Sequence, residues 1–141
     1  MSVLAKICGL ATAEAIGVAL DGGAAMLGFV FYPPSPRALS LEQASALASA
    51  VPSGIDKVGL FVDADDATIA ATIVAVPLDL LQLHGAESPE RVSALKAKFK
   101  LPVIKAIALS SADDLAAAPH FDGVADWLLF DAKAPADATR P

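Results

Sequence analysis

Two kinds of segment alternate along the chain. Short β-branched and apolar runs give way to longer alanine-rich stretches whose apolar positions recur at helical spacing. The runs predict strands over Val3–Cys8, Met26–Phe31, Lys57–Val62, Leu78–Leu83, Pro102–Ala106 and Trp127–Asp131. The stretches between them predict helices over Ala13–Asp21, Ser40–Val51, Asp66–Val76, Ser88–Phe99 and Ser111–Ala118. Strand starts fall about 20 to 30 residues apart, the length of a βα unit. The strands are nearly continuous in hydrophobicity, which predicts parallel strands covered on both faces. Capping residues mark several helix starts. Thr12 precedes Glu14, Ser40 stands two before Glu42, and Ser88-Pro89-Glu90 puts proline at the first helical position. Gly22-Gly23, Gly54 and Pro77 mark helix ends. With no linker or low-complexity tract, residues 1–141 read as one α/β domain.

Periodicity alone fits either an open doubly wound sheet or part of a (β/α)8 barrel. The polar residues separate the two. A dinucleotide fold calls for G-x-G-x-x-G after the first strand, and Cys8-Gly9-Leu10-Ala11-Thr12 has one glycine. Instead, polar or reactive groups recur at the carboxyl ends of many strands: Cys8, Arg37, Asp63, His84 and Asp131. A barrel enzyme places its site there.

Composition narrows the chemistry further. At 141 residues, 55% apolar and 18% charged, the chain can bury a substantial core. The longest apolar stretch, Ala24 to Tyr32, is too short to span a bilayer, and the first six residues lack the basic-then-apolar layout of a signal peptide. The expectation is a cytoplasmic protein with no membrane contact. A single cysteine excludes an internal disulfide and a multi-cysteine zinc site. A net charge of −6 disfavours nucleic acid and anionic membranes, yet permits a small anionic substrate held by a few local cations.

Cys8 ends the first strand ahead of Gly9, and Lys6 shares its strand face at period two. A lone cysteine is more often a small buried hydrophobe. Asp131 follows Leu128-Leu129-Phe130, where a carboxylate must reach a polar strand-end site or carry a desolvation penalty; an N-cap or loop role is the alternative. Arg37 sits in Pro33-Pro34-Ser35-Pro36-Arg37, whose prolines reduce the entropy lost in placing a guanidinium clamp, against the alternative of a solvated surface arginine. His84 either polarises a substrate or satisfies a strand end. Lys133 is a cation near an anionic ligand or a loop lysine, and His120 is a surface residue. No ligand spacing such as H-E-x-x-H or C-x-x-C occurs, so no metal is expected, and a G-x-S-x-G nucleophile elbow is absent too. What remains is acid–base chemistry between a thiol and a carboxylate.

Five segments in one order resemble phosphoribosylanthranilate isomerase, a (β/α)8 TIM-barrel family. They are Lys6-Ile7-Cys8-Gly9-Leu10, Gly28-Phe29-Val30-Phe31-Tyr32 running into Ser35-Pro36-Arg37, Gly59-Leu60-Phe61-Val62, Leu81-Gln82-Leu83-His84-Gly85, and Leu129-Phe130-Asp131-Ala132-Lys133. The resemblance implies an enzyme of tryptophan biosynthesis. Its reaction is a cofactor-independent Amadori rearrangement of N-(5-phosphoribosyl)anthranilate, an aminoaldose, to an aminoketose. It implies Cys8 as general base, Asp131 as general acid and Arg37 on the anthranilate carboxylate, with Gln82, His84 and Lys133 as further substrate-binding residues. The thiolate form of Cys8 would be favoured by Lys6, Lys133 or the substrate iminium.

The family continues beyond Thr139-Arg140-Pro141 with a glycine-rich loop and two further strands that bind the substrate phosphate. The expectation is therefore an incomplete barrel of six strands and five helices, lacking strands 7 and 8, inactive alone and prone to self-association through unclosed edges. Two other readings compete: a non-catalytic barrel fragment acting through a partner or second copy, and a different phosphosugar aldose–ketose isomerase. Cys8 weakens the second, for which an aspartate would stand there.

Overall fold

Local chemistry sets each element's start. In the computed structural model, which describes residues 2–133, the Thr12, Ser40, Asp65 and Ser88 side chains each accept a backbone N–H three residues on. They open α1 (Ala13–Asp21), α2 (Leu41–Ser49), α3 (Asp66–Ala75) and α4 (Pro89–Phe99). Ser40 and Gln43 complete a reciprocal capping box. Between the helices run β1 (Lys6–Cys8), β2 (Met26–Val30), β3 (Asp56–Phe61), β4 (Leu80–Leu83), β5 (Val103–Leu109) and β6 (Trp127–Ala132).

Three elements depart from the sequence reading by three residues or in helix type, and the other boundaries shift by one or two residues at most. β1 starts at Lys6 rather than Val3, because its partner β2 begins only at Met26, opposite Lys6. Val3 and Leu4 have no strand beside them and are exposed. β5 runs to Leu109 because β6 pairs with it all the way to Ala132. The expected α-helix over Ser111–Ala118 is a 3-10 helix, Ala112–Phe121. Its first turn is drawn tight by Asp114, whose Oδ2 accepts from the Ser110 and Ser111 N–H groups and the Ser110 hydroxyl, and Pro119 inside it lacks an N–H.

All six strands are parallel and lie in sequence order, β1-β2-β3-β4-β5-β6. Their two faces bury different things. Leu27, Phe29, Phe61, Leu81, Leu83, Val103 and Ile107 pack with the helix residues Ile16, Ala44, Ala48, Ile69, Val92 and Leu95 and with Phe121. The other face gathers Met26, Val58, Leu80 and Ile104, with Leu129 against them, and no helix residue joins that cluster. Helices therefore cover one face only, and the other turns its strand residues on one another. That is the arrangement of a barrel wall and not of a doubly wound sheet. Among the described residues β1 and β6 have one neighbouring strand each, and Ile7, Trp127 and Phe130 are exposed there. Thr139-Arg140-Pro141 lies outside the described residues. Among the described residues no helix is long and apolar enough to cross a membrane.

Candidate active site

Residues paired across a parallel ladder share a face, as do alternate residues of one strand. Following the register from Cys8↔Gly28 through Gly28↔Val58 and Val58↔Leu80, then from Leu60↔Gln82 through Gln82↔Ile104 to Ala108↔Asp131, puts Lys6, Cys8, Gln82 and Asp131 on the inner face. Cys8, Gln82 and Asp131 stand at or next to the carboxyl ends of their strands, whereas Lys6 stands at the amino end of β1, opposite Met26 of the apolar cluster Met26, Val58, Leu80 and Ile104.

Cys8 and Arg37 form one group. The Cys8 thiol lies over the backbone of β2, where a side chain at Gly28 would place its Cβ 2.8 Å from Sγ; only glycine leaves the thiol room. Arg37 lies against Gly9 on the other side, its guanidinium occupying the space a Gly9 side chain would need, and its Nη1 donates to the Cys8 carbonyl at 3.4 Å. Ser35 shapes the proline loop by accepting the Arg37 N–H at 3.2 Å. Arg37 remains exposed, while Cys8 is half-buried and free.

Gln82, His84 and Asp131 form the other. The His84 ring bridges β4 and β6, with Gln82 Nε2 3.1 Å from Nδ1 and Asp131 Oδ2 3.1 Å from Nε2. With the Gln82 amide donating to Nδ1, the imidazole keeps its own proton on Nε2 and donates it to Asp131. The Asp131 side chain is 39% exposed, and among the described residues His84 is its side-chain hydrogen-bond partner. Gln82 is 2% exposed and reaches the site through His84, while its Oε1 is buried without a partner among the described residues. Lys133 lies just past β6 with its side chain exposed, and its positive field is felt by Asp114. Asp63 joins neither group: its carboxylate accepts the Ala86 N–H at 2.8 Å and so ties two loops together.

Sequence reasoning missed two residues beside this site, Glu87 and Lys105, which are 7% and 3% exposed and paired at 3.0 Å. A signal existed, since a lysine interrupts the apolar run Val103-Ile104-Lys105-Ala106-Ile107, where an unpaired charge would be costly. Among the described residues no group of three or more His, Cys, Asp or Glu is placed to hold a metal ion.

The family model described as N-(5'-phosphoribosyl)anthranilate (PRA) isomerase matches residues 5–137. The N-(5'-phosphoribosyl)anthranilate isomerase of Nitrobacter hamburgensis is 53% identical over 141 residues, all of this chain and 63% of the relative. The crystal structure of phosphoribosyl anthranilate isomerase from Thermotoga maritima aligns with a TM-score of 0.85 at 33% identity, covering 96% of this chain and 64% of that one. A second solved structure holds phosphoribosyl anthranilate isomerase in complex with reduced 1-(o-carboxyphenylamino)-1-deoxyribulose 5-phosphate. It aligns with a TM-score of 0.84 at 32% identity over 94% of this chain and 66% of that one. The chain thus spans 63–66% of the length of the curated relatives it matches.

Proposed function

Because the chain belongs to the N-(5'-phosphoribosyl)anthranilate isomerase family, we propose that its six strands carry the acid–base half of an enzyme converting N-(5'-phosphoribosyl)anthranilate to 1-(o-carboxyphenylamino)-1-deoxyribulose 5-phosphate. The observation that carries the reading is the placement of Cys8, with Arg37 beside it, and of Asp131 on one face of the sheet at its carboxyl end. The relatives favour neither of the two competing readings.

Asp131 in its acid form delivers a proton to the ribose ring oxygen. The anilino nitrogen's lone pair expels that oxygen, and the ring opens to an iminium. The carboxylate left on Asp131 then accepts the His84 Nε2–H, which stabilises the charge that the step creates. The Cys8 thiolate removes the C2 proton, the C2–H electrons neutralise the iminium, and the resulting enolamine tautomerises to the ketone. No external oxidant or reductant enters. Arg37 offers its guanidinium to the anthranilate carboxylate close to the thiol, Gln82 acts through His84, and Lys133 contributes positive field at the rim. Within this proposal turnover is expected when the βα units that complete the relatives' length are present, since the resemblance assigns phosphate binding to them. The apolar residues at the β1 and β6 edges, such as Ile7 and Phe130, favour association of the 141 residues with such a polypeptide or a second copy.

The test follows the loss of anthranilate-conjugate fluorescence with the 141-residue chain, alone and mixed with a polypeptide covering the remaining third of a relative. Turnover in the mixture, reduced by at least about a hundredfold in Cys8→Ser with unchanged stability, is the expected result. No turnover in the mixture, or Cys8→Ser within about threefold of the parent, contradicts it.

A further inference from the structure

Among the described residues the deepest charges, Lys105 on β5 and Glu87 after β4, lie on the helix-facing side of the sheet and touch none of the proposed reacting groups. Stability does not account for them, because a buried ion pair is commonly matched or bettered by apolar residues of the same size. What the pair does touch is backbone. Lys105 Nζ donates to the carbonyls of Leu83 at 3.3 Å and Gly85 at 2.8 Å and to Glu87 Oε1 at 3.0 Å, which uses all three of its protons. Glu87 accepts the Gly85 N–H at 2.9 Å and, through Oε2, the Asp63 N–H at 3.0 Å. Asp63 is held in the left-handed region at φ +48°, a conformation that costs a non-glycine residue energy and has to be held by its surroundings. The His84 N–H itself donates to the Phe61 carbonyl at 2.8 Å. The backbone groups on both sides of His84 are thus clamped by one buried pair.

We propose that Lys105 and Glu87 are positioning residues, whose buried pair holds the Leu83–Gly85 turn so that the His84 imidazole meets Asp131. The consequence for catalysis rests on the acid role proposed for Asp131; the positioning itself does not. Phe121, whose ring centroid is 5.7 Å from Lys105 Nζ, closes the pair off from the helix side.

The experiment uses the 15N-labelled 141-residue chain, reading the His84 ring-nitrogen resonances and the amide exchange of His84 and Gly85. The double variant Lys105→Met with Glu87→Gln removes both charges at nearly constant volume, so no buried ion is left unpaired. His84 and Gly85 amides are expected to exchange at least about tenfold faster relative to Leu81. The His84 ring resonances are expected to move toward those of Asp131→Ala, in which the contact is lost. Val92→Ala, a cavity in the helix-side core, is the control for general destabilisation. Glu87→Asp keeps the charge, shortens its reach, and takes the place of the double variant if that does not fold; it is expected to shift the same signals less. Unchanged His84 signals in the folded variant, or equal changes in Val92→Ala, overturn the proposal. Both readouts are structural, so this outcome is separate from whether the chain isomerises its proposed substrate.

Discussion

The two faces of the sheet are built from alternate residues of the same strands, yet they do different work. The helix-facing side is apolar except for Lys57 and Lys105 and closes over Phe29, Phe61, Leu81 and Val103, all fully buried. The inner side joins the apolar cluster Met26, Val58, Leu80 and Ile104, has Lys6 and Asp56 beside Met26 at its amino end, and carries Cys8, Gln82, His84 and Asp131 toward the carboxyl ends of the strands. In β4 the two are interleaved one residue at a time, as Leu81-Gln82-Leu83-His84. One face can therefore be changed with little direct effect on the other. The exception is Lys105, which reaches the His84 turn from the helix side.

The largest effect separating the faces should come from neighbours on β3. Phe61 is buried on the helix side and stacks on Phe31 with centroids 5.5 Å apart, whereas Leu60 points inward and is half-buried. Phe61→Ala should cost about 3–5 kcal/mol in urea unfolding. Leu60→Ala should cost less than half as much, because less of its surface leaves water on folding. Equal losses would break the comparison.

The smallest effect lies at the amino ends of the strands. Burial pushes the Asp126 carboxyl up, but the Val103 N–H and Lys96 more than offset this and hold it below the ordinary carboxylate range. A depressed folded value means that the stabilisation is present above the unfolded pKa, about 3.9, and is lost as pH falls through the folded one. Asp126→Asn should lower stability at pH 7 and show a smaller further loss between pH 7 and pH 3 than the parent does. Parallel curves for the two proteins would remove Asp126 from the acid response.

Much of this was legible in the sequence because it depends on local pattern. Thr12, Ser40 and Ser88 cap the helices they announce, and the alternation of apolar runs with amphipathic stretches is the βα order itself. Asp65 caps α3, a helix for whose start at Asp66 the sequence reading named no cap. Where pairing decides an element's end, the sequence is silent: β1 is cut at Lys6 by where β2 starts, and β5 is prolonged by β6. The site divides the same way. Strand-end positions picked out Cys8, His84 and Asp131, but the His84–Asp131 contact joins residues 47 apart, and the Gly28 vacancy over which the thiol lies needs two strands in register. Lys105 was passed over because its partner, Glu87, comes from a different loop.

The central claim is that the inner face carries the acid–base chemistry, with Asp131 as the acid. Asp131→Asn keeps the side chain's shape and leaves an amide oxygen able to accept from His84, but it removes the proton to be delivered. Measured in the fluorescence assay with the complementing polypeptide, kcat should fall at least about a hundredfold, while affinity for reduced 1-(o-carboxyphenylamino)-1-deoxyribulose 5-phosphate stays within about threefold of the parent. A kcat close to the parent's would contradict the account.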